Sequence, residues 1–250
     1  MSEQAIKKIL ITGANGFIGG SLMRYYLNHG QDTVGVDLIG NDEDIVEGDI
    51  SQPDTISQHL QECDVIIHTA ALVSNAMQDS DMWQVNVLAT RNLIQAAKEH
   101  KVRRFVQISS IVAYGNSAEG ELDETHPVHA DGGSYVLTKL ASEHVVLSEQ
   151  ANDDIEVVII RPGDAYGPGS RPWIIAPLEA IAKNQFMLPE KGEGFFRPIY
   201  IDDLVRGIAM ASRHPDAAGE IFNLSCEGYM YTKDYFTPHY RWLGKKRPMV

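Results

Sequence analysis

Short apolar runs alternate with longer stretches of helical periodicity from Lys8 to about Ile160. The runs are Ile9-Leu10-Ile11, Thr33-Val34-Gly35-Val36, Ile45-Val46, Val65-Ile66-Ile67, Phe105-Val106-Gln107-Ile108 and Val157-Val158-Ile159-Ile160. Their apolar positions are consecutive rather than alternate, the pattern of strands buried on both faces. Between them, a helix is predicted after Gly16, with Phe17, Ile18, Leu22 and Tyr25 or Tyr26 on one side. A second runs from roughly Met82 to His100 with Val85, Leu88, Leu93, Ala96 and Ala97 inward, and a third from about Ser134 to Glu149. Strands alternating with helices predict an α/β fold, a Rossmann-type doubly wound parallel sheet with helices on both faces.

After Arg161 the texture changes. Arg161-Pro162-Gly163-Asp164-Ala165-Tyr166-Gly167-Pro168-Gly169 reads as a loop, and short mixed elements come after it. The expected division is therefore a Rossmann-type α/β domain over 1–165 and a small mixed α/β lobe over 166–250, with some elements returning to the main sheet. The last predicted element, Lys233 to Leu243, stops at Gly244.

Composition narrows the partners. Lys plus Arg number 21 against 34 Asp plus Glu, a formal charge of −13, and no basic run precedes Lys245-Lys246-Arg247. Nucleic acid and anionic membrane are accordingly not expected as partners. Met1 to Lys8 has no signal-like apolar stretch, and no run approaches the roughly 18 apolar residues of a membrane span, so a cytoplasmic address is expected. Cys63 and Cys226 stand far apart without a metal-ligand spacing, which predicts reduced cysteines and no metal site.

Candidate chemistry begins at Thr12-Gly13-Ala14-Asn15-Gly16-Phe17-Ile18-Gly19, which succeeds one strand and opens a helix. Gly13 allows a tight turn, Gly16 lets backbone approach a pyrophosphate, and Gly19 lets helix and strand pack closely. Asp37 closes the second strand about 20 residues on, where an acid accepts hydrogen bonds from a ribose and repels a 2′-phosphate, so the expected cofactor is NAD. No Arg or Lys in Leu38-Ile39-Gly40-Asn41-Asp42 offsets that charge. Asp49, in Gly48-Asp49-Ile50, either faces the adenine or serves a turn.

Tyr135 and Lys139 lie four apart on the third helix and share a face. A nearby ammonium favours phenolate, so Lys139 is expected to lower the Tyr135 pKa toward working pH. Ser109 and Ser110 end the strand Phe105–Ile108 at the carboxyl edge of the sheet, where Ser110 either caps the strand or holds a substrate oxygen.

With these motifs assembled, the chain resembles the extended short-chain dehydrogenase/reductases, which include nucleotide-sugar epimerases and dehydratases, 3β-hydroxysteroid dehydrogenases and dihydroflavonol-type reductases. Carrying the resemblance are residues 12–19, Asp37, Gly48-Asp49, His68-Thr69-Ala70-Ala71, Val85-Asn86-Val87 with Thr90-Arg91-Asn92-Leu93, Ser109-Ser110 with Tyr114-Gly115, Tyr135 to Lys139, Arg161 to Gly169, and Ile201-Asp202-Asp203-Leu204. The resemblance implies Ser110, Tyr135 and Lys139 as catalytic residues. As cofactor contacts it implies Gly13, Asn15, Gly16, Phe17, Ile18, Gly19, Asp37, Asp49, Ile50, Thr69, Ala70, Ala71, Ser109, Pro162 and Gly163, with Tyr135 and with Lys139 on the nicotinamide ribose. It also implies that Asn86 braces the central strands and that the chain forms a homodimer through the helices around 82–100 and 134–149. His68 reads as a satisfied core histidine rather than a catalytic one.

The substrate half departs from nucleotide-sugar relatives. Asp164 stands where they commonly carry an asparagine, and Arg197 is one step out of register with their phosphate-binding arginine, whose place is Phe196. Trp173, Ile174, Ile175, Pro177, Leu178, Phe186, Met187, Leu188, Phe195 and Phe196 form either an apolar pocket or the lobe's own core. Val73, Val112, Asp164, Trp173 and Arg197 are the candidate substrate residues. Resembling proteins continue past Gly244-Lys245-Lys246-Arg247, so the final helices that help close their cleft are expected to be lacking here. The resulting expectation is NAD-dependent hydride transfer at a secondary alcohol or ketone carbon of a hydrophobic small molecule. The alternatives are a nucleotide-sugar epimerase or dehydratase using transient oxidation, and a non-catalytic NAD-binding regulator.

Overall fold

The structure is a computed structural model that describes residues 5–40, 43–73, 78–115, 120–151 and 154–246. Asn41, Asp42 and Arg247, named above, lie outside the described residues. In chain order the elements are β1 (Lys8–Thr12), α1 (Phe17–Asn28), β2 (Asp32–Asp37), β3 (Ile45–Glu47), α2 (Ser57–Leu60), β4 (Val65–His68), α3 (Asp79–Trp83) and α4 (Thr90–Glu99). Then come β5 (Arg104–Ile108), α5 (Ser134–Gln150), β6 (Glu156–Pro162), β7 (Asp164–Tyr166), α6 (Ala176–Ala182), β8 (Phe195–Phe196), β9 (Pro198–Tyr200), α7 (Ile201–Arg213), β10 (Ile221–Leu224), β11 (Met230–Tyr231) and α8 (Thr232–Trp242).

The chain divides into two compact units, one of residues 1–161 with 205–223 and one of 162–204 with 224–250. The sequence division at 165/166 thus falls four residues later than the structural boundary, and 205–223 belongs with the first unit. Within that unit the main sheet runs β10-β6-β5-β4-β1-β2-β3, and β1 through β6 pair parallel. Strand order reverses between β1 and β4, so the carboxyl ends of these strands frame a crevice of the kind that holds ligands in open α/β sheets. Ile9, Leu10, Ile11, Val65, Ile66 and Ile67 are fully buried, as double coverage of the sheet requires.

One helix departs from the expected face. The segment predicted over Met82–His100 begins at Asp79 and contains a π-helical turn at Gln84–Ala89. The extra residue in that turn rotates the remainder of the helix, turning Asn86, Val87 and Ala89 inward and leaving Leu88, expected inside, 43% exposed. The stretch Arg161–Gly169 is likewise not all loop, because it holds the end of β6 and the whole of β7.

In the second unit β7 pairs parallel with β9, and β8 antiparallel with β11. Its interior is aromatic: Leu188, Phe196, Tyr235 and Phe236 are buried, with Tyr166, Trp173 and Phe186 packed against them.

Candidate active site

The turn between β1 and α1 is shaped by its glycines. Gly13 has φ +68°, and a Cβ there would lie 2.8 Å from Ala70 Cα. At Gly19 a Cβ would come within 2.1 Å of the Gly13 carbonyl oxygen. Gly16 is the N-cap of α1 without a side chain to cap it, and the first turn, which includes Phe17, Ile18 and Gly19, holds no acid. A helix start with uncommitted N–H groups and close backbone approach fits a pyrophosphate, so the residues present suit a dinucleotide.

Asp37 ends β2 beside this turn. Its carboxylate accepts from Asn15 N at 2.9 Å and from Leu38 N at 2.8 Å, while Asn15 Nδ2 donates to the Ile39 carbonyl at 2.7 Å. A carboxylate has lone pairs left for a ribose after two such bonds. Asp49 serves its own turn, accepting from Ser51 N and Gln52 Nε2, and the Ser51 bonds hold its carboxyl below the usual range. The Ile50 side chain belongs to the core. Thr69 Oγ1 donates to the Thr12 carbonyl at 2.6 Å, and Ala70 N donates to Thr12 Oγ1 at 3.3 Å, so Thr69 and Ala70, with the half-buried Ala71 after them, adjoin the glycine turn.

The His68 reading holds in atomic terms. Thr90 Oγ1 donates to the Asn86 carbonyl, so it accepts from His68 Nε2 at 2.9 Å, and Thr12 lies 2.7 Å from Nδ1. Burial pushes the His68 pKa down to about 3, with Lys139 adding to the effect, so the ring is neutral. Asn86, expected to brace the central strands, instead clasps the chain after β4. Its amide accepts from Leu72 N at 2.7 Å and donates to Leu72 O at 3.0 Å and to Thr138 Oγ1 of α5 at 3.1 Å.

Ser110, Tyr135 and Lys139 come together at the carboxyl end of β5. Ser110 caps the 3₁₀ turn Ile111–Tyr114, its Oγ accepting from Val112 N at 3.3 Å, and its hydroxyl adjoins the Tyr135 phenol, whose pKa it draws down. Capping and presentation at the site are thus combined in one side chain. Lys139 is buried, donates from Nζ to the Ile108 carbonyl at 2.9 Å, and lies 5.9 Å from the Tyr135 ring centroid. The expected lowering of the Tyr135 pKa is not found: burial pushes the phenol up to about 12, opposed only by the Ser110 hydroxyl. Burial also brings Lys139 down to about 8, against the opposing charge of Glu143. Neighbouring Ser109 is 4% exposed, and its Oγ has no hydrogen-bond partner among the described residues.

Glu143 was missed in the sequence. It continues the spacing of four from Tyr135 through Lys139, and its carboxylate takes Arg161 Nε at 3.0 Å and Nη2 at 2.7 Å. That spacing was the available signal.

Among the candidate substrate residues, Val112 adjoins Ser110 through its backbone, and Val73 is 65% exposed after β4. The others belong to the second unit. Gly163 N donates to the Leu224 carbonyl at 2.8 Å, Pro162 before it is buried, and a Cβ at Gly163 would meet Arg197 O at 2.3 Å. Asp164 Oδ2 accepts from Arg197 N at 3.2 Å, and burial raises this carboxyl to about 6. Arg197 Nη1 donates to the Gly228 carbonyl. Trp173 is a core residue: its ring centroid is 4.8 Å from that of Phe196, and its carbonyl accepts from Tyr235 Oη and His239 Nε2.

A cavity of about 790 Å³ opens among Lys98, Arg103, Gln150 and Glu156, at the amino ends of β5 and β6 and away from this site. Two of its cations are paired, Lys98 with Glu149 and Arg103 with Glu156, both at 2.9 Å. Among the described residues, no group of three His, Cys, Asp or Glu is placed to hold a metal, and no helix is long and apolar enough to cross a membrane.

The sequence profile of the NAD dependent epimerase/dehydratase family matches residues 9–225. The chain belongs to this family. NAD is the family's cofactor, and the glycine turn with Asp37 is where this member's residues suit it. The chain is 28% identical to a dTDP-glucose 4,6-dehydratase of Streptomyces niveus over 87% of this chain and 72% of that protein. It is also 28% identical to a 3 beta-hydroxysteroid dehydrogenase/Delta 5→4-isomerase of Mycobacterium tuberculosis, over 83% and 60%. Among solved structures, the UDP-glucuronic acid 4-epimerase of Bacillus cereus, in complex with UDP-glucuronic acid and NAD, superposes with a TM-score of 0.86 at 27% identity. That match covers 97% of this chain and 85% of that one.

Proposed function

We propose that this family member is an NAD-dependent oxidoreductase that transfers hydride at a secondary alcohol or ketone carbon, with Tyr135 as acid/base. The observation that carries this is the Tyr135 phenol beside the Ser110 hydroxyl, with the Lys139 ammonium 5.9 Å from its ring and bonded to the Ile108 carbonyl at the carboxyl end of β5. Ser110 holds the substrate oxygen, and Tyr135 exchanges a proton with it at Oη. Lys139 holds the nicotinamide ribose. When bound, the nicotinamide would supply the hydride acceptor for alcohol oxidation as NAD and the hydride donor for carbonyl reduction as NADH. A phenol kept protonated by burial favours the donor role, protonating a carbonyl as it is reduced.

For the substrate, Asp164 supports an uncharged, hydrophobic alcohol or ketone, since its carboxylate repels a diphosphate. The aromatic residues of the second unit lend this little support, because most serve its own core. The second reading, an epimerase or dehydratase acting by transient oxidation, is favoured by the UDP-glucuronic acid 4-epimerase likeness. A regulator without chemistry is disfavoured by the intact Ser110, Tyr135 and Lys139. The test is a screen of NAD-loaded protein for NADH release and thermal stabilisation. Hydrophobic secondary alcohols should give both, whereas stabilisation by nucleotide diphospho-sugars alone, without NADH release, would replace the first reading by the second.

Asp37 selects NAD over NADP in this reading, and equal affinities by titration calorimetry would refute it. Trp83 and Leu88, 41% and 43% exposed on the segment 79–99, support a homodimer through that face, which a single-chain mass by light scattering would exclude. Free Cys63 and Cys226 accord with a cytoplasmic site of action.

A further inference from the structure

On α5, Tyr135, Lys139 and Glu143 succeed one another at intervals of four residues and so lie along one face. The Glu143 and Arg161 side chains are 1% and 3% exposed, and they meet through two parallel bonds of 3.0 and 2.7 Å. The third Arg161 nitrogen, Nη1, donates to Tyr114 Oη at 2.9 Å, and the guanidinium carbon lies 4.8 Å from the Tyr114 ring centroid. Tyr114 closes the same 3₁₀ turn that Ser110 opens. One guanidinium at the carboxyl end of β6 therefore ties the helix bearing Tyr135 and Lys139 to the turn bearing Ser110.

A buried ion pair is a poor way to gain stability, since apolar side chains of similar volume often do as well. It does place a negative charge one helical turn from the buried Lys139 ammonium. We propose that Glu143, held by Arg161 and Tyr114, is the positioning residue of the Tyr135/Lys139 pair, registering α5 against the Ser110 turn and keeping Lys139 an ammonium. The inference rests on the proposed roles of Tyr135 and Lys139.

The groups facing Lys139 agree with this. Tyr135 on its own helix is a neutral phenol, and His68 from β4 is neutral, its own protonation disfavoured by burial and by the Lys139 charge. From β5 the Ile108 carbonyl accepts its proton, and Arg161 from β6 is already spent on Glu143. Among these groups Glu143 is the charge that opposes the desolvation drawing Lys139 down to about 8.

Glu143→Gln would leave Arg161 buried without its partner, so the informative variant is Glu143→Leu/Arg161→Met, which removes both charges and keeps the volume. With lysine labelled at ¹³Cε and Lys139 assigned by comparison with Lys139→Arg, its titration midpoint should fall by about one pH unit. The alkaline limb of the kcat profile should move with it, while NAD affinity stays within about twofold, a small fraction of the tenfold that 1.4 kcal/mol represents. Glu143→Asp, which keeps the charge but shortens its reach, should retain the midpoint and lose kcat, and it serves if the double variant does not fold. A Lys139 midpoint unmoved in the double variant, or one that falls in Glu143→Asp, overturns the proposal whatever the activity. A midpoint that moves as expected while Tyr135→Phe leaves turnover intact would instead overturn the role of Tyr135 and leave the coupling of Glu143 to Lys139 standing.

Discussion

Around α5 the interior of the first unit is polar and paired: His68 is bonded at both nitrogens, Asn86 clasps Leu72 and Thr138, and Glu143 grips Arg161. The interior of the second unit is a stack of rings, with Phe196 4.1 Å from Tyr235 and 4.8 Å from Trp173 between centroids. Hydrogen bonds fix direction as well as distance, so a polar interior can hold reacting groups in one geometry. Ring packing is less directional and mainly supplies buried area. Apolar residues in a small lobe therefore do not by themselves mark a pocket, whereas buried polar groups beside a sheet's carboxyl edge mark a candidate site.

The sharpest way to break this comparison is at Tyr135. Tyr135→Phe should lower kcat by about 10²- to 10⁴-fold with NAD affinity unchanged, measured by NADH absorbance and calorimetry. Retained turnover would show that the polar seam is only structural. In the ring stack the expected effect is on stability. Phe196→Ala, at a side chain 4% exposed, should cost about 3–5 kcal/mol in denaturant unfolding while NAD affinity holds. A Phe196→Ala protein of parental stability that fails to take substrate would make the ring stack a pocket after all.

Gly19→Ala tests the glycine turn, because its Cβ must displace the Gly13 carbonyl from 2.1 Å. NAD should bind on the order of 100-fold more weakly, about 2.7 kcal/mol, and calorimetry showing no loss would mean the turn yields.

The smallest effect concerns His68, whose pKa falls from 6.5 to about 3 on folding. The unfolded chain then binds the proton first as pH drops, so this contribution is complete above pH 6.5 and is lost progressively between 6.5 and 3. By pH 5 the loss is about 2 kcal/mol. Thermal melts of His68→Gln should show a flatter slope over that window than the parent.

Six of the seven strands of the first unit's main sheet were readable because double coverage leaves consecutive apolar residues, as in Val157-Val158-Ile159-Ile160, and the glycine turn because its demands are steric and local. Leu88 was misplaced because a π turn adds a residue that periodicity does not announce. Glu143 went unread because its partner Arg161 is brought to it only by the packing of α5 on β6.

Residue type at short spacing was therefore enough for the family and for the glycine turn, Ser110, Tyr135 and Lys139 as candidate positions, but not for Glu143. The tertiary structure decided how those residues are charged and what they touch. Tyr135 was expected to be drawn toward phenolate by Lys139, yet burial keeps it a phenol and brings Lys139 down to about 8. Spacing along a helix states which groups are neighbours, but the cost of charge depends on how much water the rest of the fold removes.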